Sequence, residues 1–198
     1  MAKQGENERL RIFLAVFPPP ATQAAAERRI ERLKQPDDHV SWVKRDNLHY
    51  TLRFLGDLGA DGARRAAEAA RAAAEAQPAF DACLGGLGAF PNARKARVLW
   101  LGLSKGGESL SALARAVEAA LQKKGFGRAD RPFASHLTIG RVRTPGRDWT
   151  DALEAAAAPQ DEDGARFRVD RVLVVHSQLS PKGSIYSVRA EVPLRGES

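Results

Sequence analysis

Cysteine is nearly absent. The 198 residues hold one, Cys83, which rules out an internal disulfide and a cysteine-rich zinc site and fits a reducing compartment. Long apolar runs are also missing. No stretch approaches the roughly 18 consecutive apolar residues of a membrane-spanning helix. Met1 to Arg9 is polar and charged with no apolar signal region behind it, so the expectation is a soluble cytoplasmic protein. Several catalytic signatures are absent as well. There is no His-Glu-x-x-His, no pair of histidines one helical turn apart, and no carboxylate among residues 47–56 or 135–142 around His49 and His136. The glycines from Gly85 to Gly88 are followed by neither a lysine nor a helix, which excludes a phosphate-binding loop of the Walker type. Histidine is scarce too, at four.

What is present is positive charge, net +7, and 43% apolar residues. The apolar share is enough for a core in one domain or two small lobes. The charge suits a polyanion such as RNA or a phosphorylated small molecule. It also fits a bias toward Arg, Ala, Gly and Pro with no partner behind it.

Read in order, residues 1–9 form a flexible arm, and a domain of residues 10–198 follows. Leu10 to Phe17 is a strand closed by Pro18, Pro19 and Pro20. A helix spans about Pro20 to Lys34, with Ala26, Ile30 and Leu33 on one face. Val40 to Val43 is a short strand. Asp61 to Ala76 is an Ala/Arg/Glu helix whose arginines form a solvated face. Phe80 to Leu84 is a strand that runs into the glycine-punctuated stretch Gly85 to Gly88; the turn Pro91 to Lys95 then leads to another strand, Arg97 to Leu103. Leu110, Leu113, Ala114, Val117, Ala120 and Leu121 stripe a further helix, ended by Gly125. Pro132 to Val142 reads as a strand. Asp148 caps a short helix ended by Pro159, and Gln160 to Gly164 is an acidic turn. Phe167 to Val175 and Ser184 to Val192 close the chain, joined through Ser180-Pro181-Lys182-Gly183. Links this short favour antiparallel pairing, hence an α+β class with helices packed on sheet faces.

Two stretches organise the rest: Asn47-Leu48-His49-Tyr50-Thr51-Leu52-Arg53-Phe54-Leu55-Gly56 and Ser135-His136-Leu137-Thr138-Ile139-Gly140-Arg141-Val142. Each carries His-x-Thr in a strand pattern, so His49 shares a face with Thr51 and His136 with Thr138. Strict alternation puts Arg53 with His49 and Thr51, and Phe54 with the apolar Tyr50 and Leu52. The two copies predict two related lobes facing each other. Paired imidazoles and hydroxyls suit phosphate-ester chemistry. One histidine activates the attacking oxygen, the other protonates the departing one, and the threonines hold the non-bridging oxygens. A metal site is the competing use of two histidines. His39 and His176 read as ordinary polar positions. Trp42, Trp100, Trp149 and Tyr50 read as core. Tyr186 either stacks on a base or is buried.

These motifs resemble the two signatures of the 2H phosphoesterases, and within them the bacterial and archaeal RNA 2′,3′-cyclic phosphodiesterases, also called 2′–5′ RNA ligases. Leu10 to Phe17, Trp42-Val43, Phe90-Pro91-Asn92, Val98-Leu99-Trp100 and Ser177 to Tyr186 extend the resemblance over nearly the whole chain after residue 9. It implies two pseudo-symmetric lobes of mainly antiparallel sheet with helices outside and a cleft between. It implies metal-free, cofactor-free hydrolysis of a terminal 2′,3′-cyclic phosphate to a 2′-phosphate. By position, His49 would be the proton donor, His136 the proton acceptor, and Thr51 and Thr138 the phosphate-binding residues. Arg141 matches a phosphate-contacting arginine of relatives. Alternation alone turns it away from His136, so that role needs a bulge or a strand end near Gly140. The implied partners are RNA ends or small cyclic nucleotides, met by a monomer with no membrane. The alternatives are 2′–5′ ligation as the main role, and an RNA-binding module without catalysis.

Overall fold

The computed structural model describes residues 9–36, 38–144, 146–157, 163–181 and 183–196. The terminal arm (but for Arg9), Pro159, most of the acidic turn and Lys182 lie outside these residues. The chain begins with β1 (Leu10–Val16), α1 (Pro20–Leu33), β2 (Val40–Trp42), β3 (Tyr50–Leu58) and α2 (Ala60–Glu75). Then come β4 (Phe80–Phe90), β5 (Val98–Lys105), α3 (Gly107–Lys123), β6 (Leu137–Val142) and α4 (Thr150–Ala155). The chain closes with β7 (Arg166–Val169), β8 (Arg171–Ser180) and β9 (Gly183–Pro193). Among the described residues no helix is long and apolar enough to cross a membrane.

The strands run β7-β4-β5-β6-β3-β1-β8-β9, with β2 added to β6. Every pairing between them is antiparallel. Two halves are evident. One holds β3, β1, β8 and β9; the other holds β7, β4, β5, β6 and β2. They join where β3 meets β6, at the pair Tyr50 and Leu137. The sequence pattern from Phe167 to Val175 suggests one strand, but Asp170 divides it. β7 pairs with β4 at one end of the order, and β8 pairs with β1 near the other. A one-residue link between strands so far apart requires the sheet to curl.

The helices cover the outer face. Alternation sends Ile12, Leu14 and Val16 of β1 into a core shared with Ala66, Ala69, Ala70 and Ala73 of α2 and with Leu113, Val117 and Leu121 of α3. Alanines on α2 let it approach its neighbours closely, and its outer arginines behave as a solvated face. Arg64 pairs with Asp61 and Glu68, and Arg65 with Asp61. Phe13 and Ala15, on the opposite face of β1, form a second cluster with Leu173 and Val175 of β8. That cluster is the floor of the concave side.

β4 continues through its glycines to Phe90, past the strand end expected at Leu84, and the glycines mark close packing inside it. A methyl added at Gly85 would lie 2.7 Å from the backbone of Leu103 and Ser104, and one at Gly88 would run into the Trp100 ring. Gly85→Ala therefore forces β4 and β5 apart. The expected loss is about 1–3 kcal/mol of stability, read as a lower urea midpoint; an unchanged midpoint would mean the strands shift freely.

Candidate active site

The two His-x-Thr segments meet at the junction of the halves. Tyr50 and Leu137, the paired residues, are 1% and 0% exposed and point into the core. Their neighbours point the other way. Carried one residue each way, the antiparallel register sets Thr51 against His136 and His49 against Thr138. The second strand is shorter than its sequence pattern suggests, beginning at Leu137, so each histidine immediately precedes its strand.

Each histidine is anchored identically. His49 Nδ1 lies 2.7 Å from the Asn47 carbonyl oxygen, and His136 Nδ1 lies 2.8 Å from that of Ala134. A carbonyl only accepts, which assigns the hydrogen to Nδ1 in both rings and leaves each Nε2 free to take or give a proton. Asn47 is itself tied down: its side-chain amide donates to the Ser184 carbonyl 2.8 Å away.

The surroundings of the two rings differ. His49 stacks on Phe17 with ring centres 5.0 Å apart, tilts against Phe13 at 4.9 Å and meets Tyr186 edge-on at 5.3 Å. His136 is half-buried, and its ring meets Phe90 edge-on at 5.1 Å. Burial among rings pushes the pKa of His49 down to about 4, against the hydrogen bond to the Asn47 carbonyl, which raises it. The positive charge of Arg141, and that of His136 whenever it is protonated, lowers it further.

A cleft of about 720 Å³ opens on this face, lined among others by His49, Thr51, Thr138, Arg141, Trp42 and Tyr186. His136 does not line this cavity; its register places it beside Thr51. Arg141 reaches the cleft by a bulge. β6 pairs Thr138 with Trp100 and Gly140 with Leu99, leaving Ile139 without a partner on β5. The extra residue resets the alternation, so Thr138 and Arg141 face the same way.

β3 does the same one residue after its own threonine. Thr51 pairs with Ala15 and Arg53 with Leu14, so Leu52 is extra. This overturns simple alternation beyond Thr51. Arg53 turns away to Glu118 on α3, at 3.3 Å, while Phe54 enters the cleft, 47% exposed. Sequence reasoning missed Phe54 for this reason. It also missed the Phe13 and Phe17 platform, although their spacing on either side of Ala15 puts all three on one face of a strand.

Of the remaining expectations, Tyr50 and Trp149 are core. Trp42 is half-buried in the cleft wall, its Nε1 donating to Asp38 at 3.0 Å. Tyr186 packs against His49 and remains half-buried. His39 is exposed, and His176 is 8% exposed on the core side of β8.

Comparison with known proteins follows the same outline. The model of the 2′-5′ RNA ligase superfamily matches residues 18–180. The RNA 2′,3′-cyclic phosphodiesterase of Methanothermobacter thermautotrophicus is 35% identical over 179 residues, covering 90% of this chain and 96% of that protein. The protein of that name from Archaeoglobus fulgidus is 37% identical over 147 residues, covering 74% and 80%. A crystal structure from Thermus thermophilus superposes with a TM-score of 0.77 at 28% identity, over 96% of this chain and 100% of that one. Escherichia coli LigT, crystallised with 3′-AMP, shares the fold with a TM-score of 0.75 at 24% identity, over 94% and 99%.

Proposed function

The chain belongs to the 2′-5′ RNA ligase superfamily and has cyclic phosphodiesterase activity, and from that premise we propose that its cleft opens RNA or nucleotide 2′,3′-cyclic phosphates to 2′-phosphates by metal-independent acid–base catalysis. The carrying observation is the matched anchoring of His49 and His136 on either side of one strand pairing. A water oxygen attacks phosphorus opposite O3′, and His136 Nε2 takes its proton. The P–O3′ bond breaks as His49 Nε2 delivers a proton to O3′. Thr51 and Thr138 donate to the non-bridging oxygens, and Arg141 offsets their charge. His49 is neutral near pH 7 in the open cleft. It gains its proton with the substrate, whose anionic phosphate beside the ring favours the imidazolium against the burial that disfavours it.

Both histidines come from one chain, so a monomer suffices, and the single reduced Cys83 suits a cytoplasmic enzyme. Run backwards, the same groups join a cyclic end to a 5′-hydroxyl as a 2′–5′ linkage. An RNA-binding module without catalysis would need only cations and stacking rings, not two matched imidazoles.

The test is turnover of a 2′,3′-cyclic nucleotide in EDTA, with the product identified by mass spectrometry and phosphorus NMR. Full activity and a 2′-phosphate are expected. A 3′-phosphate would mean that O2′ departs, and loss of turnover in EDTA would refute the metal-free route.

A further inference from the structure

The bulges after Thr51 and Thr138 give the two motifs the same extended spacing. Counting from each histidine, the threonine stands at the second position and a further cleft-lining residue at the fifth. In one motif that residue is Arg141, and in the other it is Phe54. Large aromatic side chains are usually covered, yet Phe54 is 47% exposed. The guanidinium of Arg11 lies 4.9 Å from its ring centre, covering one face. Arg11 lines the same cleft. Its cross-strand neighbour is Asp57, but among the described residues no carboxylate is within ion-pair distance of its guanidinium. A cation and an open ring face thus stand together in the cleft.

Thr51 pairs with Ala15 and Phe54 with Phe13, so the bulge sets Phe54 two cross-strand positions, about 7 Å, beyond Thr51 along the strand. That is too far for the phosphorus Thr51 would serve and in reach of the next unit of a chain. Resting on the phosphodiesterase reading of the cleft, we propose that Arg11 and Phe54 form a subsite for the penultimate nucleotide of an RNA 3′ end. Phe54 stacks that nucleotide's base on its open face. Arg11 takes the phosphodiester that links it to the terminal nucleoside. A 2′,3′-cyclic mononucleoside phosphate has neither group, so the pair favours RNA ends over small cyclic nucleotides.

The experiment compares kcat/KM for a dinucleotide ending in a 2′,3′-cyclic phosphate with that for the cyclic mononucleotide. The wild type is expected to favour the dinucleotide. Base–ring stacking corresponds to roughly 5- to 150-fold, so Phe54→Ala should lose about that on the dinucleotide and leave the mononucleotide rate unchanged. Phe54→Tyr should restore it. Arg11→Gln should weaken the dinucleotide alone and flatten its dependence on salt. Equal losses on both substrates, or no wild-type preference, would overturn the subsite. Should the wild type turn over neither compound, the hydrolytic reading fails separately. Calorimetric binding of the 2′-phosphorylated dinucleotide and mononucleotide then decides the subsite: a preference lost in Phe54→Ala supports it, and equal affinities overturn it.

Discussion

His49→Ala and His136→Ala are each expected to lower turnover of a 2′,3′-cyclic nucleotide by about 10²- to 10⁴-fold, the range for a positioned acid or base. Both residues are half-buried on the cleft side, so the variants should keep the fold and its far-ultraviolet dichroism. The size of the loss does not say which ring gives the proton. One protonated and one neutral imidazole produce the same pH profile whichever way they are arranged. A leaving group that needs no acid separates them. With a p-nitrophenyl phosphodiester the departing oxygen is stable as an anion, so losing the acid matters little while losing the base still matters. His49→Ala should therefore be largely spared on that substrate and His136→Ala should not. The opposite outcome would exchange the roles. Near-normal activity of either variant on the cyclic nucleotide would remove that histidine from the mechanism.

The second large effect is on acid stability. His49 titrates near 4 in the folded protein against 6.5 for a free histidine. A depressed folded value means the unfolded chain binds this proton more readily. The folded state therefore keeps the full contribution above pH 6.5 and loses it as pH falls toward 4. The shift corresponds to at most about 3 kcal/mol. The cause is desolvation of the ring among Phe13, Phe17 and Tyr186, so replacing the imidazole with a ring that does not titrate removes the dependence. Urea unfolding of the wild type and His49→Phe at pH 7.5 and pH 4 should show a larger drop for the wild type. Equal drops would mean that the His49 ring is hydrated. Arg141→Ala should raise the His49 value, seen in an NMR titration, but leave it below 6.5 because burial is the larger cause.

Much of this was legible in the residues. The paired motifs, the order of strands and helices up to residue 142, and the α3 stripe all follow from local periodicity. Arg141 shows where that information ends. Alternation points it away from the cleft, and only the unpaired Ile139 turns it back. Leu52 does the same on β3 and exchanges Phe54 with Arg53. A bulge depends on what the neighbouring strand offers, and a single strand's pattern does not contain it. The break at Asp170 is non-local in the same way. Apolar residues stand on both sides of Asp170 because both parts of Phe167 to Val175 are strands of the one sheet, though near opposite ends of the strand order. The depressed His49 value was equally hidden, since it needs Phe17 and Tyr186, well over a hundred residues apart, against one ring.

The return of β2 onto β6 has a mechanical consequence. β2 precedes β3 by a few residues but hydrogen-bonds to the strand that follows His136. The chain thus laces the two sides together immediately before it supplies the first imidazole. Spreading the jaws would have to unpick that stitch as well as the Tyr50–Leu137 one. The gap between the imidazoles is consequently held by backbone rather than by side chains, and substitutions along the walls can retune which molecules enter without loosening it.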